Sequence, residues 1–357
     1  MNLKRLCVEL QSLGVRVPEQ FSGKKGGAGP SEGNVIMIDG HYISVPTQSW
    51  FVASSPYRIE KDGSDFVLFY EQDSVCKIQL PTRPAYYDLE TESGIALDKI
   101  ALIHGSNCLA STVYQDCVYW NTDNQCAFCG IGISLAKEAT VLEKEPQDLG
   151  YAAEMARRLD NAEHVTLTTG VWADEDQGID HILRCIESIK SGAAIPVHVQ
   201  ICPPREMDVF DRLKESGADT VGVHIETCSM DILNRIAPPK ARIGWDRYIK
   251  SWERAVSVFG KNQVSSFIIA GIGEKPDGIL KGAELMCSRD VFPYVLPLRP
   301  VPGTVLETNR PPAPEEMIFI YEGLSSLLRK HNLSSDLSKA GCVRCGACSA
   351  LALFEKE

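Results

Sequence analysis

Cys117, Cys126 and Cys129 fall in one short stretch, Cys-x8-Cys-x2-Cys. Three thiolates so placed can hold three irons of a [4Fe–4S] cube and leave the fourth iron open to another ligand. Structural zinc is the alternative for such thiols. Zinc prefers four ligands, usually as two pairs, and no second pair lies nearby. Cys108 competes for the first position, because eight residues also separate Cys108 from Cys117. A second set, Cys342, Cys345 and Cys348, reads Cys-x2-Cys-x2-Cys. That spacing suits another [4Fe–4S] site whose fourth ligand comes from elsewhere in the chain. Cys7, Cys76, Cys108 and the hydroxyl of Ser349 are the candidates, and zinc is again the alternative. The two sets take six of the thirteen cysteines, so the clustering itself points to metal.

The chain has 357 residues, 44% hydrophobic and 23% charged, which is ordinary for a globular protein. Its net charge of −11 repels a phosphate backbone and argues against nucleic acid as a partner. No apolar run reaches the roughly 18–20 residues of a membrane helix, and residues 1–13 lack the apolar stretch of a signal peptide. A cytoplasmic protein without a membrane partner is expected. Thiols stay reduced in that compartment, so cysteines there read as ligands or catalytic groups, not disulfides.

The elements that must position these cysteines are legible in outline. Leu3, Leu6, Leu10 and Leu13 recur at helical spacing and Gly14 stops the run. Residues 34–80 read as short strands with turns, at 35–38, 42–45, 66–70 and 75–80. From about residue 98, strand-length apolar runs at 100–104, 164–168, 195–200, 220–225, 264–270 and 292–296 alternate with helical stretches. Those helices are expected around 147–159, 177–190, 205–216, 245–259 and 277–288, and a further one at 313–330. Such alternation makes parallel β/α units with right-handed crossovers. The expected fold is α/β, a partial (β/α)6 TIM-like barrel. Residues 1–97 would form a helix and a small β-rich unit, 98–310 the barrel, and 311–357 a C-terminal iron–sulfur extension. The first cysteine set then follows the first barrel strand, where parallel β/α folds place their chemistry.

Further motifs follow the later strands: Thr168-Thr169-Gly170 after the second, Glu226 after the fourth, Phe267 to Glu274 along the fifth, and Pro297 to Thr304 after the sixth. With Phe128 before the last cysteine of the first set, these resemble the radical SAM superfamily, in particular its biotin synthase-related group. The resemblance covers about residues 98–305. Two departures stand out. The family commonly has three residues between its first two cysteines, not eight, and Phe267 replaces the first glycine of a G-x-I-x-G-x-G-E stretch. The resemblance implies that Cys117, Cys126 and Cys129 hold a [4Fe–4S] cluster whose open iron takes the amino and carboxylate groups of S-adenosyl-L-methionine (SAM). It further implies that Thr168, Thr169 and Gly170 receive the SAM amino group and that Glu226 accepts from the ribose hydroxyls. Ile269, Gly271 and Gly273 would lie along the adenine, and Arg299 would reach a carboxylate of SAM or substrate.

The same resemblance implies a 5′-deoxyadenosyl radical that removes hydrogen from unactivated carbon, with an electron donor of the ferredoxin or flavodoxin type. The terminal set, as a second [4Fe–4S] cluster, is expected to supply sulfur. Sulfur insertion is the favoured reaction, with lipoyl synthesis on an octanoylated carrier protein, shared with a second radical SAM protein, as one form of it. Ser265 at the fifth strand argues against biotin synthase itself, and Cys202 has no assigned role. Carbon–carbon bond formation, dehydrogenation or cofactor maturation, with the terminal cluster as relay or substrate anchor, is the alternative. A non-catalytic iron–sulfur carrier is the alternative of another class. The loop from Gly26 to Gly33 lacks the G-K-[ST] ending of a P-loop and reads as a covering loop. His104 and His198 read as hydrogen-bonded strand-end residues, Trp245 and Trp252 as core, and Glu315-Glu316 as a helix start.

Overall fold

The computed structural model describes residues 2–18, 33–174 and 176–356. Most of the glycine-rich loop at 26–33 lies outside them. Helix α1 (Leu3–Leu13) opens the chain, with the Asn2 side chain accepting from the Lys4 N–H as its cap. Strands β1 (Asn34–Ile38) and β2 (His41–Val45) form a hairpin. Asp39 and Gly40 both take positive φ at its turn, the geometry that suits a right-twisted two-residue loop. A three-stranded meander follows: β3 (Tyr57–Asp62), β4 (Asp65–Tyr70) and β5 (Asp73–Ile78).

The main sheet has seven strands and curls into a half-barrel. They are β6 (Leu102–His104), β7 (Cys108–Thr112), β8 (His164–Thr168), β9 (Val197–Ile201), β10 (Thr220–Val223), β11 (Val264–Ala270) and β12 (Phe292–Pro297), side by side in chain order. Neighbours from β7 to β12 pair in parallel, and β6 pairs antiparallel to β7. This corrects the expected strand at 100–104. That run becomes a short edge strand, and the strand that leads to Cys117 is β7, which the sequence reading passes over. The reason is compositional: β7 reads Cys-Leu-Ala-Ser-Thr, too small and polar to look like a strand, yet every residue of it is buried.

The helices are α2 (Ile131–Ala136), α3 (Pro146–Asp160), α4 (Ile179–Gly192), α5 (Val209–Glu215), α6 (Met230–Ile236), α7 (Pro238–Ile243), α8 (Trp245–Phe259), α9 (Pro276–Cys287), α10 (Pro314–Lys330), α11 (Gly341–Cys345) and α12 (Leu351–Glu355). Four of them, α3, α7, α9 and α10, begin on a proline, whose fixed φ suits the first turn and whose missing N–H would be unpaired there anyway. Helix α4 buries Ile179, Ile182, Ile186 and Ile189 along one face. Trp252 on α8 is fully buried, its indole N–H donating to the Val223 carbonyl at 2.9 Å.

The C-terminal tail turns back into the lumen. The Thr220 hydroxyl donates to the Ala340 carbonyl at 3.4 Å, and the Gly341 N–H donates to His164 Nδ1 at 3.3 Å. Further on, the Ala347 carbonyl accepts from the Ser44 N–H and the Gln11 amide, while the Ser349 hydroxyl donates to the Val295 carbonyl at 2.6 Å. The tail thus ties the strands of the half-barrel to the N-terminal unit. Gly341 makes this passage possible: its φ is 90°, and a Cβ there would sit 2.5 Å from the His198 ring. Gly346 shares the left-handed conformation, at 69°, but a Cβ there meets nothing closer than Ala352 at 3.8 Å.

Gly341→Ala should therefore destabilise the protein by about 2–4 kcal/mol, combining backbone strain with overpacking. Gly346→Ala, with strain alone, should cost about 1–2 kcal/mol. Urea denaturation of the two variants measures the difference, and equal losses would remove the lumen contact as the cause.

Candidate active site at the mouth of the half-barrel

The chain from Val113 to Gly130 crosses the C-terminal ends of the strands. Its course is fixed by backbone bonds: the Val113 N–H donates to Thr168, the Val118 N–H to Val171, and the Ala127 N–H to Ile236 on α6. The Gly170 Cα lies so close to this stretch that a Cβ would fall 1.6 Å from the Asp116 carbonyl oxygen. Beneath it, buried Lys144 donates to the Val141 carbonyl at 2.7 Å and to Gln115 at 3.3 Å. Burial pushes that amine down to about 7.

Cys117, Cys126 and Cys129 are partly exposed on this stretch, as a site that accepts a ligand from solution requires. Cys129 feels Cys117, and Cys126 feels both Cys129 and Cys202. Burial pushes Cys126 up to about 12 and Cys129 up to about 11, with Lys240 pulling both the other way. Lys240 is the residue that sequence reasoning missed. Its Nζ lies 2.6 Å from Glu226 Oε1 and donates to the His224 carbonyl at 2.7 Å, with 15% of its side chain exposed against 8% for Glu226. Burial opposes its charge, but Glu226, Tyr248, Cys202 and Cys126 more than compensate and raise it. Nothing in the run Pro238-Pro239-Lys240 marks it as special; only the fold brings α7 over the cysteines.

Glu226 itself takes a φ of 73°, rare for a residue with a side chain. Its backbone is clamped to β11 on both sides, the N–H donating to Phe267 and the carbonyl accepting from Ile269. Such strain is found where a side chain must be held in one direction. The Thr168 carbonyl accepts from Val113, and the Thr169 hydroxyl donates to the Gly170 carbonyl and accepts from Trp172. Thr169, Gly170 and Cys202 border a cavity of about 20 Å³, room for about one water. In this arrangement the corner docks the cysteine stretch. Gly271 and Gly273 have φ of 98° and 116° and face Pro312 and the Arg235 guanidinium. Arg299 is turned away from the mouth, its guanidinium donating to the Ser44 hydroxyl at 2.8 Å and the Ser44 carbonyl at 3.0 Å. Phe128 packs against the core.

Comparison with known proteins follows this geometry. Residues 122–286 match the Radical SAM superfamily. The matched radical SAM stretch begins just beyond Cys117 and runs from the Cys126–Cys129 pair to α9. A bacteriochlorophyllide c C-7(1)-hydroxylase from Chlorobaculum limnaeum is 26% identical over 146 residues, which are 40% of this chain and 36% of the relative. The match thus spans about a third of that relative's length. Among solved structures, methylornithine synthase is 16% identical with a TM-score of 0.49, over 76% of this chain and 78% of that one. A radical SAM methyltransferase from Sphaerobacter thermophilus gives 16% and 0.49, over 76% and 81%.

The Radical SAM superfamily that this stretch matches implies a [4Fe–4S] cluster and SAM. The donor set here fits the cluster: Cys129 lies near both Cys117 and Cys126, and the Lys240 ammonium stands beside Cys126 and Cys129, where iron-bound thiolates would put negative charge. Among the described residues no three histidine, cysteine or acidic side chains converge closely enough for a single metal ion. A cube carries its thiolates on separate irons and needs them farther apart than one ion does.

Removing the charge partner tests the site's electrostatics without metal. Lys240→Met leaves the Glu226 carboxylate buried and unpaired, and should cost about 3–5 kcal/mol in urea denaturation of the apoprotein. Adding Glu226→Gln should restore more than half of that loss.

Proposed function

We propose that this radical SAM chain inserts sulfur at unactivated carbon, with an octanoyl group on a carrier protein as the substrate class to test first. The observation that carries the reading is the position of the terminal cysteines. They lie inside the lumen, below the mouth where the radical would arise, and not on a separate appendage. The two sets approach each other along β9. Gln200 on β9 donates to Cys342 Sγ at 3.5 Å, while Cys202, just past the end of that strand, feels Cys117. Two residues of extended chain span about 7 Å.

Bound at the mouth, the cluster would pass an electron from a ferredoxin- or flavodoxin-type donor to SAM, giving methionine and a 5′-deoxyadenosyl radical. Each insertion then replaces a C–H bond with a C–S bond. The hydrogen would leave in 5′-deoxyadenosine, and Cys342, Cys345 and Cys348 would hold the iron and sulfide that supply the sulfur and take up the one electron left over. The chain's own part is to hold the reactants and exclude water. Lys240 keeps a positive charge beside the mouth cysteines. Cys117, Cys126 and Cys129 bind iron, and Glu226, fixed by its backbone clamps, is poised for the SAM ribose if Lys240 yields it. A second radical SAM protein sharing the work is compatible with this arrangement.

The hydroxylase relative favours a second reading, in which the carbon radical ends as an alcohol and the terminal set serves as a relay.

Anaerobic reconstitution with iron and sulfide, followed by dithionite and SAM, should release 5′-deoxyadenosine. Cys126→Ala and Cys129→Ala should reduce that release to background. The triple variant Cys342→Ala, Cys345→Ala, Cys348→Ala should still cleave SAM but give no thiolated octanoyl peptide by mass spectrometry. Thiolated product from the triple variant would eliminate the terminal set as sulfur source, and an oxygenated product from the wild type would favour the second reading.

A further inference from the structure

The terminal set has three cysteines on the tail, and four places in the chain compete to complete it. The structure separates them. Cys7 and Cys76 interact with each other and with Asp39 in the N-terminal unit. The Ser349 hydroxyl donates to the Val295 carbonyl at 2.6 Å and lies 3.2 Å from Tyr321 Oη, so its bonding is already taken up by the barrel wall. Cys108 is different. It begins β7, is 2% exposed, and lies within hydrogen-bonding reach of Cys345, with Cys342 also close.

Local geometry brings these sulfurs together. β6 and β7 pair His104 with Cys108 across a three-residue turn, Gly105 to Asn107. Gly105 has φ of 58°, and a Cβ there would lie 2.8 Å from Cys345 Sγ. Cys345 Sγ also lies 3.9 Å from the His104 carbonyl. The tail's middle cysteine is thus seated on the turn that presents Cys108. Hydrogen-bond donors surround the group: the Thr166 hydroxyl stands 3.3 Å from Cys108 Sγ, and the Gln200 amide 3.5 Å from Cys342 Sγ. Tyr294, 3% exposed, feels Cys348, Cys342 and Cys345, and its buried hydroxyl has no partner among the described residues. A buried phenol without a partner is costly, and a sulfide- and thiolate-rich guest beside it would give that O–H an acceptor.

We propose that Cys108 is the fourth ligand of an iron–sulfur cluster held inside the lumen by Cys342, Cys345 and Cys348. This rests on the reading that the terminal set binds a cluster, and it adds the ligand that closes it. With all four ligands supplied by the chain, no iron is left for substrate to occupy. The site then acts through its sulfide or its electrons and does not anchor substrate. The ligand from β7 also explains why the tail enters the barrel at all, because Cys108 lies on the first parallel strand and faces the lumen.

The test isolates the second site by working in a Cys126→Ala, Cys129→Ala background. Anaerobically reconstituted protein of that background should carry about four irons and four sulfides, with the Mössbauer spectrum of a [4Fe–4S] cluster. Adding Cys108→Ala should lower iron and sulfide by at least half or convert the cluster to a three-iron form with a new electron paramagnetic resonance signal. Cys108→Ser should keep iron but shift that spectrum in the reduced state. Cys76→Ala should change nothing. Circular dichroism of the apoproteins separates loss of ligand from loss of fold, and a folded Cys108→Ala protein with an unchanged cluster would overturn the proposal while leaving the terminal cluster standing. A background protein that takes up zinc or no metal would overturn the underlying reading itself.

Discussion

A half-closed barrel exposes its lumen along one side, and that open side is the constraint the rest of this chain answers. Parallel strands are ordinarily covered on both faces. Here the outer face is covered by α3, α4, α5, α8 and α9. The inner face carries Cys108, His164, Thr166, His198, Gln200 and Tyr294, groups that need partners as well as cover. The tail supplies both. Its backbone gives His164 a donor and Thr220 an acceptor, and its cysteines fill the polar centre. The N-terminal unit then locks the tail from the other side through Ser44 and Gln11, and Arg299, just beyond β12, holds Ser44.

The lumen is divided into two chemical environments by an aromatic shelf. His224 stacks on Phe267 at 3.7 Å between ring centres, and Phe267 meets Tyr294 at 5.4 Å. The shelf crosses β10, β11 and β12. His224 touches the mouth through its carbonyl bond to Lys240, and Tyr294 faces the terminal cysteines. Burial keeps His224, His198 and His164 neutral, the last two pushed down to about 3 and about 4. The Nδ1 atoms of His164 and His224 accept from backbone N–H groups, of Gly341 and Phe267. Each neutral ring must then carry its proton on Nε2.

The barrel was legible because its strands from 164 onward are rich in valine, isoleucine and other strand-forming residues, and its helices carry isoleucine and leucine at helical spacing. The same logic failed at β7. A strand whose inward residues are Cys108, Ala110 and Thr112 has no hydrophobic signature, because its inner face meets the tail instead of a core. The mouth was legible as a cysteine motif but not as an electrostatic site. Lys240 sits in a proline-started helical turn that no spacing rule connects to Cys126, 114 residues earlier. Glu226 was legible as a polar residue at a strand end, but its ion pair was not. Arg299 shows another limit: its strand-end position was legible, but its hydrogen bonds to Ser44, 255 residues earlier, were not.

Charge distinguishes the two cysteine sets and suggests how they divide the work. The mouth set has an ammonium beside it, and Lys240 lowers Cys126 and Cys129 against the burial that raises them. Such thiols can give up protons to iron while the site stays open to solvent. In the terminal set, burial, Cys348 and Cys345 all raise Cys342, with the Gln200 amide pulling the other way. Neutral dipoles, from Gln200, Thr166 and Tyr294, are what the lumen offers there. A low-dielectric pocket stabilises thiolates poorly by dipoles alone, so on the proposed reading those cysteines would ionise only as metal arrives, and the metal would supply the positive charge that the lumen lacks. On the proposed reading the mouth would exchange its occupant while the protein stays folded, whereas loss of the inner group would leave four thiols and a phenol to find new partners. A reaction that draws sulfur from the inner site would then be limited by how the lumen tolerates its loss.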